Sequence, residues 1–505
     1  MLIYAMTSLQ FFGGVNEIGG NKILLKDRDT RIFLDFGMSF GQSGRYFSEF
    51  LNPRKCNGIH DFIKTGLLPD LPGIYREDYL RHMGRKKEDR GIDAVLLSHA
   101  HMDHVSYVHH LRRDIEIILS PGSHAILSSL AESGRTGWQD YLTSTPSFMI
   151  KEKTRGEGYT KVTSRDGVLN RPVRVLESGD KHRIGDMEII PYAVDHSLPG
   201  ATSYLIHTSE GTILYTGDFR FHGHFGNKTV EMVEAVASES IDVVITEGTR
   251  IDEASGTSEQ QVYDHALEIV RGTKGLAVLT FPPRDLTRLL TFYRIARETG
   301  RKLVIGFRQA NLLEHFSKIG DAYPSVDDPN ICIFAERKGW GTVGRYDLPS
   351  NIDGVAIPQN ICDQDYGTWE RKYLDYPNTI NYIDLKDQSK YMLFCSYFQL
   401  NELIDVNPVP GSNYLRSITE PFNDEMKLDA ERVLNWLNLF DLELFGMEKE
   451  DKLHASGHAS GTQVCDMLDK LQPKRVIPIH TENPMKFQES NQNVLFVEQG
   501  QVIQM

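Results

Sequence analysis

The chain lacks paired cysteine. Its five cysteines, Cys56, Cys332, Cys362, Cys395 and Cys465, are scattered with no CxxC pair, which argues against a thiolate zinc site and against a disulfide framework. A reducing, cytoplasmic setting fits that usage. No uncharged apolar run approaches the roughly 18 residues that suggest a membrane-spanning helix, so a soluble protein is expected. The opening MLIYAMTSLQFF has neither a basic leader nor a small-residue cleavage site, and no secretory signal is expected from it. Positive charge is not in surplus either, the formal net charge being −14. Phosphate backbones are held mainly by Lys and Arg, so a nucleic-acid partner would need a local basic surface, or metal ions that offset clustered carboxylates. No internal repeat or low-complexity tract is evident. What is there is 505 residues, 40% hydrophobic and 25% charged. At roughly 100–200 residues per domain, that implies a folded protein of two or three domains.

The opening reads as short strands, SLQFF, NKILLK and RIFLDFG, each bounded by Gly, Asn or charged turn residues. Residues 41–90 lose that rhythm; they contain Pro53, Pro69, Pro72 and the run RKKEDR, and read as a surface insertion before the apolar strand IDAVLLS. A second irregular, charged stretch spans about 140–175. From about residue 241 the texture becomes strand, helix, strand: IDVVITEG, then the amphipathic SEQQVYDHALEIVRG, then GLAVLTF, LTRLLTFYRIARETG and KLVIGF. That alternation implies parallel βαβ units and a second, α/β domain. The expected division is 1–240 for a first segment, 241–444 for the α/β insert and 445–505 for the return of the first domain.

The sharpest local signal is Ser98-His99-Ala100-His101-Met102-Asp103-His104, directly after IDAVLLS. Three imidazoles and a carboxylate at a strand end can converge on one point, as a dinuclear metal site requires. The bland reading, a polar loop that happens to be rich in histidine, leaves the ordered HxHxDH spacing unexplained. Two ions need further ligands, and candidates stand at later strand ends: His196 after MEIIPYAV, Asp218 after GTILYT, and His480 closing RVIPIH. Singly, each is also readable as a loop His, a turn Asp or a satisfied sheet-edge His. Together they fit the rule that α/β sheets place sites at the carboxyl ends of strands.

HAHMDH, His196, the TGDF Asp218 and the strand-end His480 resemble the metal motifs of the metallo-β-lactamase superfamily, and Asp35 in LDFG resembles its first motif. The resemblance implies an α/β fold, the αββα sandwich, with His99, His101 and His196 on one ion, Asp103, His104 and His480 on the other, and Asp218 bridging. Asp35 would orient ligands without binding metal. The ions expected are two divalent cations, zinc first and manganese second.

The stretch 241–480 resembles the β-CASP group of nucleases, with Glu247 in ITEGTR at its first added acidic motif. His454-Ala455-Ser456-Gly457-His458 resembles the HxSGH signature of ribonuclease J and its relatives, and GGVNEIGGN near the start is similar to that group too. By resemblance, a histidine at position 480 goes with RNA processing. The implied reaction is phosphodiester hydrolysis in single-stranded RNA, in which two metals activate a water for in-line attack. His458 would be the proton donor, held protonated by Glu247, and Asp103 would help align the water. His454, Ser456, Gly457 and His458 would bind a neighbouring phosphate, Gly457 by letting the backbone approach; a helix cap before GTQVCDML is the plain reading of the same residues and can hold at once. Basic residues for the RNA backbone are sought in Arg284, Arg288, Arg294, Arg297, Arg301 and Lys302. A solvated helix face accounts for most of them, and Arg284, in a strand-to-helix loop, is the exception.

Three features depart from ribonuclease J. Glu247 replaces an aspartate, as in cleavage-factor-type relatives. Pro282 and Pro283 remove backbone donors from the TFPPRD loop. The sequence ends about 25 residues past His480, so the expectation is that no separate C-terminal domain mediates assembly; a homodimer by another face stays open. The alternatives weighed are a DNA nuclease on the same scaffold, a small-ester hydrolase, which would leave HASGH unexplained, and a non-catalytic RNA-binding scaffold.

Overall fold

The structure is a computed structural model that describes residues 6–134, 140–145, 149–162, 168–344, 351–352, 355–356, 361–419, 421, 424–448, 451–489 and 493–505. It divides into two compact units: 1–221, 225–255 and 457–505 form the first, and 222–224 with 256–456 the second.

The first unit is built on two sheets. One has seven strands in the order Val173–Val175, Glu116–Leu119, Ala94–Leu96, Thr30–Leu34, Lys22–Asp27, Ser8–Gly13 and Val502–Gln504. The other has six, ordered His182–Ile184, Met187–Ala193, Thr202–His207, Thr212–Tyr215, Val243–Glu247 and Arg475–Ile479. Alternate residues of both sheets, among them Phe11, Ile23, Leu25, Leu96, Ile206, Ile213, Ile245 and Ile477, interlock in one buried cluster, as two sheets facing each other demand. On the other face of the six-stranded sheet, Met232, Val233 and Val236 of helix Gly226–Val236 and Val464, Met467 and Leu468 of helix Gly461–Leu471 cover Leu205, Leu214, Val244 and Val476. Sandwiched strands of this kind read as continuous apolar runs.

The strand Val243–Glu247, expected to open the inserted domain, lies instead in the first unit. It pairs in parallel with Thr212–Tyr215 on one side and Arg475–Ile479 on the other, and all five of its residues are buried. The α/β unit therefore starts at Gly256 and runs to Ser456; a parallel strand buried on both faces looks the same in sequence whichever sheet it joins.

The second unit is a parallel sheet ordered Thr379–Ile380, Ile331–Phe334, Lys302–Gly306, Tyr391–Phe394, Ala277–Thr280, Asn413–Arg416 and Glu443–Phe445. Its helices include Glu259–Gly272, capped by a Ser258–Gln261 box, and Leu286–Thr299, which starts on Asp285 and stops at left-handed Gly300. The insertion at 41–90 forms three short helices, Phe40–Gly44, His60–Lys64 and Glu77–His82. It rejoins the turn after the HAHMDH loop, with Phe62 against Tyr107 and Arg112 N bonded to Ile74 O. Part of the 140–175 stretch lies outside the described residues. Cys56, Cys332 and Cys395 are free thiols, and the Cys362 side chain falls outside the described set. No helix among the described residues is long and apolar enough to cross a membrane.

Candidate metal centre

Six strand ends of the first unit deliver side chains to one place. Asp35 follows Thr30–Leu34, His99 follows Ala94–Leu96, His196 follows Met187–Ala193, Asp218 follows Thr212–Tyr215, Glu247 ends its own strand, and His480 follows Arg475–Ile479. Asp218 Oδ2 is the hub: it lies 3.6 Å from His99 Nε2, 3.2 Å from His104 Nε2, 3.9 Å from His196 Nε2, 3.7 Å from His480 Nε2 and 3.8 Å from His458 Nδ1. His101 Nδ1 sits 2.9 Å from His99 Nε2 and 3.0 Å from His196 Nε2, and His480 Nε2 is 3.2 Å from Asp103 Oδ2.

Donor atoms of His99, His101, His196 and Asp218 form one group within 4.8 Å of one another; Asp103, His104 and His480 form a second; Asp218, Glu247, His458 and His480 form a third. Imidazole nitrogens facing each other at hydrogen-bond distance cannot all carry protons, and nitrogen with carboxylate oxygen is the donor set of zinc and similar cations. His104 Nε2 and Asp218 Oδ1 are buried and have no hydrogen-bond partner among the described residues, which buried polar atoms rarely tolerate. The residues fit divalent cations.

Protonation follows the same geometry. Burial, then the neighbouring His104, hold His99 well below the usual histidine range, and burial with His101 and His458 does the same to His196. Burial opposes charge on His104 as well, but Asp218, Asp103 and Asp35 outweigh it and hold its pKa well above the ordinary value. Desolvation opposes charge on half-buried His458 too, yet the Glu247 carboxylate at 3.0 Å, followed by Asp218, lifts it to about 9.

A set of supporting contacts aims the donors. Asp35, in a left-handed backbone at φ 55°, accepts from Ser98 N and Oγ at 2.7 Å each, from Tyr215 Oη at 2.5 Å, and faces His104 Nδ1 at 2.7 Å. Asp35 thus touches both the HAHMDH loop and His104. Thr249 Oγ1 holds His480 Nδ1 at 2.8 Å. Glu247 accepts from Phe219 N and Thr249 N, so it is fixed before it meets His458. A buried Asp195–Arg220 pair at 3.0 Å braces the loops carrying His196 and Asp218. Sequence reasoning missed Tyr215, Thr249, Asp195 and Arg220; only the charges flanking the ligands in VDH and TGDFR hinted at the last two.

The HASGH residues divide between the units. Gly457 and His458 belong to the first, His454 and Ser456 to the second, as does Arg284. Gly457 packs on His196: its carbonyl meets His196 Nδ1 at 2.5 Å, and a Cβ there would lie 2.8 Å from His196 Cε1. Ser460 caps helix Gly461–Leu471 in a box with Gln463, so the helix-cap reading of this stretch holds. In the second unit, Ser456 O accepts from His222 Nε2 at 3.0 Å. Arg288 and Arg301 are not surface cations. Arg288 is fully buried against Glu259 at 3.0 Å and donates to the carbonyls of Ser417, Leu453 and Ala455, and Arg301 donates to the carbonyls of Thr273, Gly275 and Tyr391. Arg294, Arg297 and Lys302 are exposed.

A two-sheet sandwich whose strand ends gather histidines and aspartates around a buried central carboxylate defines a metallo-hydrolase. Residues 69–280 match the beta-lactamase superfamily domain and 446–489 match the Zn-dependent metallo-hydrolase RNA specificity domain; the chain carries both domains and resembles the ribonuclease J-like, β-CASP branch of the metallo-β-lactamase superfamily. It is 23% identical to ribonuclease J of Mycoplasma genitalium over 95% of this chain and 68% of that protein. Against ribonuclease J of Pyrococcus abyssi it is also 23% identical, over 94% of this chain and 90% of that one. A crystal structure of a protein of unknown function from Enterococcus faecalis shares the fold, with a TM-score of 0.68, 21% identity and coverage of 99% and 100% of the two chains.

Proposed function

We propose that the protein is a ribonuclease that hydrolyses phosphodiester bonds of single-stranded RNA with two divalent cations, zinc or manganese, in the cytoplasm. The observation that carries this reading is the His458–Glu247 pair, 3.0 Å apart, beside Asp218, with His458 itself inside the segment that matches an RNA specificity domain. The leaving oxygen of a phosphodiester departs faster when a positioned acid protonates it, and a histidine held by a carboxylate beside the donor cluster suits that role.

His99, His101 and His196 would hold one cation and Asp103, His104 and His480 the other, with Asp218 between them. When bound, the pair would polarise the phosphoryl oxygen and acidify water. Asp103, whose side chain is 17% exposed while that of Asp218 is 2% exposed, would help align the attacking water. With Nδ1 of His458 engaged by Glu247, Nε2 is the atom that hands its proton to the leaving oxygen. His454, Ser456 and Arg284 are the second unit's candidates for phosphate contact.

Purified protein loaded with zinc or manganese should digest single-stranded RNA and leave DNA of the same sequence intact. Digestion of the DNA alone would move the protein to a repair-type nuclease. Comparing 5′-monophosphate, 5′-triphosphate and circular RNA separates attack from an end from internal cutting.

A further inference from the structure

Lys22 is buried, at 2% exposure, and has no part in the chemistry above. Its Nζ donates to Gly20 O at 2.7 Å and Gly37 O at 2.9 Å and lies 5.7 Å from the centre of the Tyr107 ring. A buried ammonium is costly unless it is satisfied: burial lowers the Lys22 pKa to about 8 against the opposing charge of Glu17, and the two carbonyls and the ring are the partners that hold it.

The two loops that Lys22 joins grip half of the metal centre by its backbone. Gly20 N and Asn21 N both donate to Asp103 O at 3.1 Å, Phe36 N donates to His104 O at 2.8 Å, and Gly14 O accepts from His480 N at 2.7 Å. A Cβ on Gly37 would stand 1.7 Å from Asp103 O, so the loop lies directly on the ligand's main chain. His196 is held by other means, through Gly457 O and the Asp195–Arg220 brace, whereas Ser98 Oγ, bonded to Asp35, faces both His99 and His104.

We propose that Lys22 is a positioning residue for the Asp103, His104 and His480 half of the centre: its ammonium draws the carbonyls of Gly20 and Gly37 together and thereby sets the spacing of those three ligands. The inference rests on the two-cation reading. Contacts that orient ligands from behind commonly change metal affinity by about 10- to 100-fold, and the asymmetry of the loops directs that loss to one site.

The test is calorimetric titration of metal-free full-length protein with zinc and, separately, manganese, after circular dichroism has shown each variant folded. Lys22→Met should weaken one of two sites by about 10- to 100-fold and leave the other unchanged. In a His196→Ala background the remaining site should weaken on Lys22→Met; in a His480→Ala background it should not. Amide exchange over residues 13–21 should accelerate while that over 196–202 does not. If Lys22→Met does not fold, Lys22→Gln, which keeps an N–H donor for one carbonyl, is read in the same way. Equal weakening of both sites, or of neither, overturns the proposal. Fewer than two ions on the wild type overturns the two-cation reading beneath it, before any variant is compared.

Discussion

At the scale of single residues, His458 shows how a neighbour decides whether a histidine can act as an acid. With its pKa lifted from the ordinary 6.5 to about 9, His458 keeps its proton throughout the neutral range. A raised folded-state value means that the stabilising contribution is complete below the unfolded value and fades as pH climbs through about 9. The reaction, which needs the same proton, should fall over that window. Glu247→Gln removes the largest charge holding the proton, so the alkaline limb of the kcat/KM profile should move to lower pH while circular dichroism stays unchanged. His458→Gln should remove about 100- to 10,000-fold of the rate at every pH, the usual worth of a positioned acid. An alkaline limb that ignores Glu247→Gln would show that His458 is not the group titrating.

At the scale of elements, the sequence disclosed what a motif can disclose. HAHMDH, Asp218 and His480 stood out because ligand chemistry is written in residue type and because each follows an apolar run that ends at one sheet edge. The partners that aim them were not legible. Tyr215 lies 180 residues from Asp35 and Thr249 lies 231 residues from His480, and nothing local marks a tyrosine that ends a strand as a donor to a distant carboxylate. Strand Val243–Glu247 was found but assigned to the wrong unit, since pairing partners are a tertiary fact.

Helix Leu286–Thr299 misled in a similar way: Arg288 looked like part of a solvated basic face, yet it reaches inward to Glu259, and its donors tie the helix to Ser417, Leu453 and Ala455. Arg288→Met would leave Glu259 charged and unpaired in a buried site, a change that typically costs about 3–5 kcal/mol. Urea denaturation followed through amides of the second unit should show that loss, and Glu259→Gln in the same chain should recover part of it. A loss below about 1 kcal/mol would place Arg288 in the solvated class after all.

At the scale of the whole molecule, a chain with net charge −14 concentrates carboxylates and imidazoles at one edge of its first unit, and cations are the natural complement to that edge. Every donor in the three groups lies in the first unit, and none in the second. Cation binding should therefore stabilise the first unit by mass action, by about 2.7 kcal/mol when free metal stands at 100 times its dissociation constant. Chelation should reverse the effect. Hydrogen exchange with and without zinc separates the units without assuming how they are coupled. Amides of Ala94–Leu96, Thr212–Tyr215 and Arg475–Ile479 should slow markedly on loading, and those of Ala277–Thr280 and Lys302–Gly306 should change far less. Equal slowing in both sets would mean that the cations act on the chain as a single cooperative body, and a change confined to the second set would place the metal centre outside the first unit.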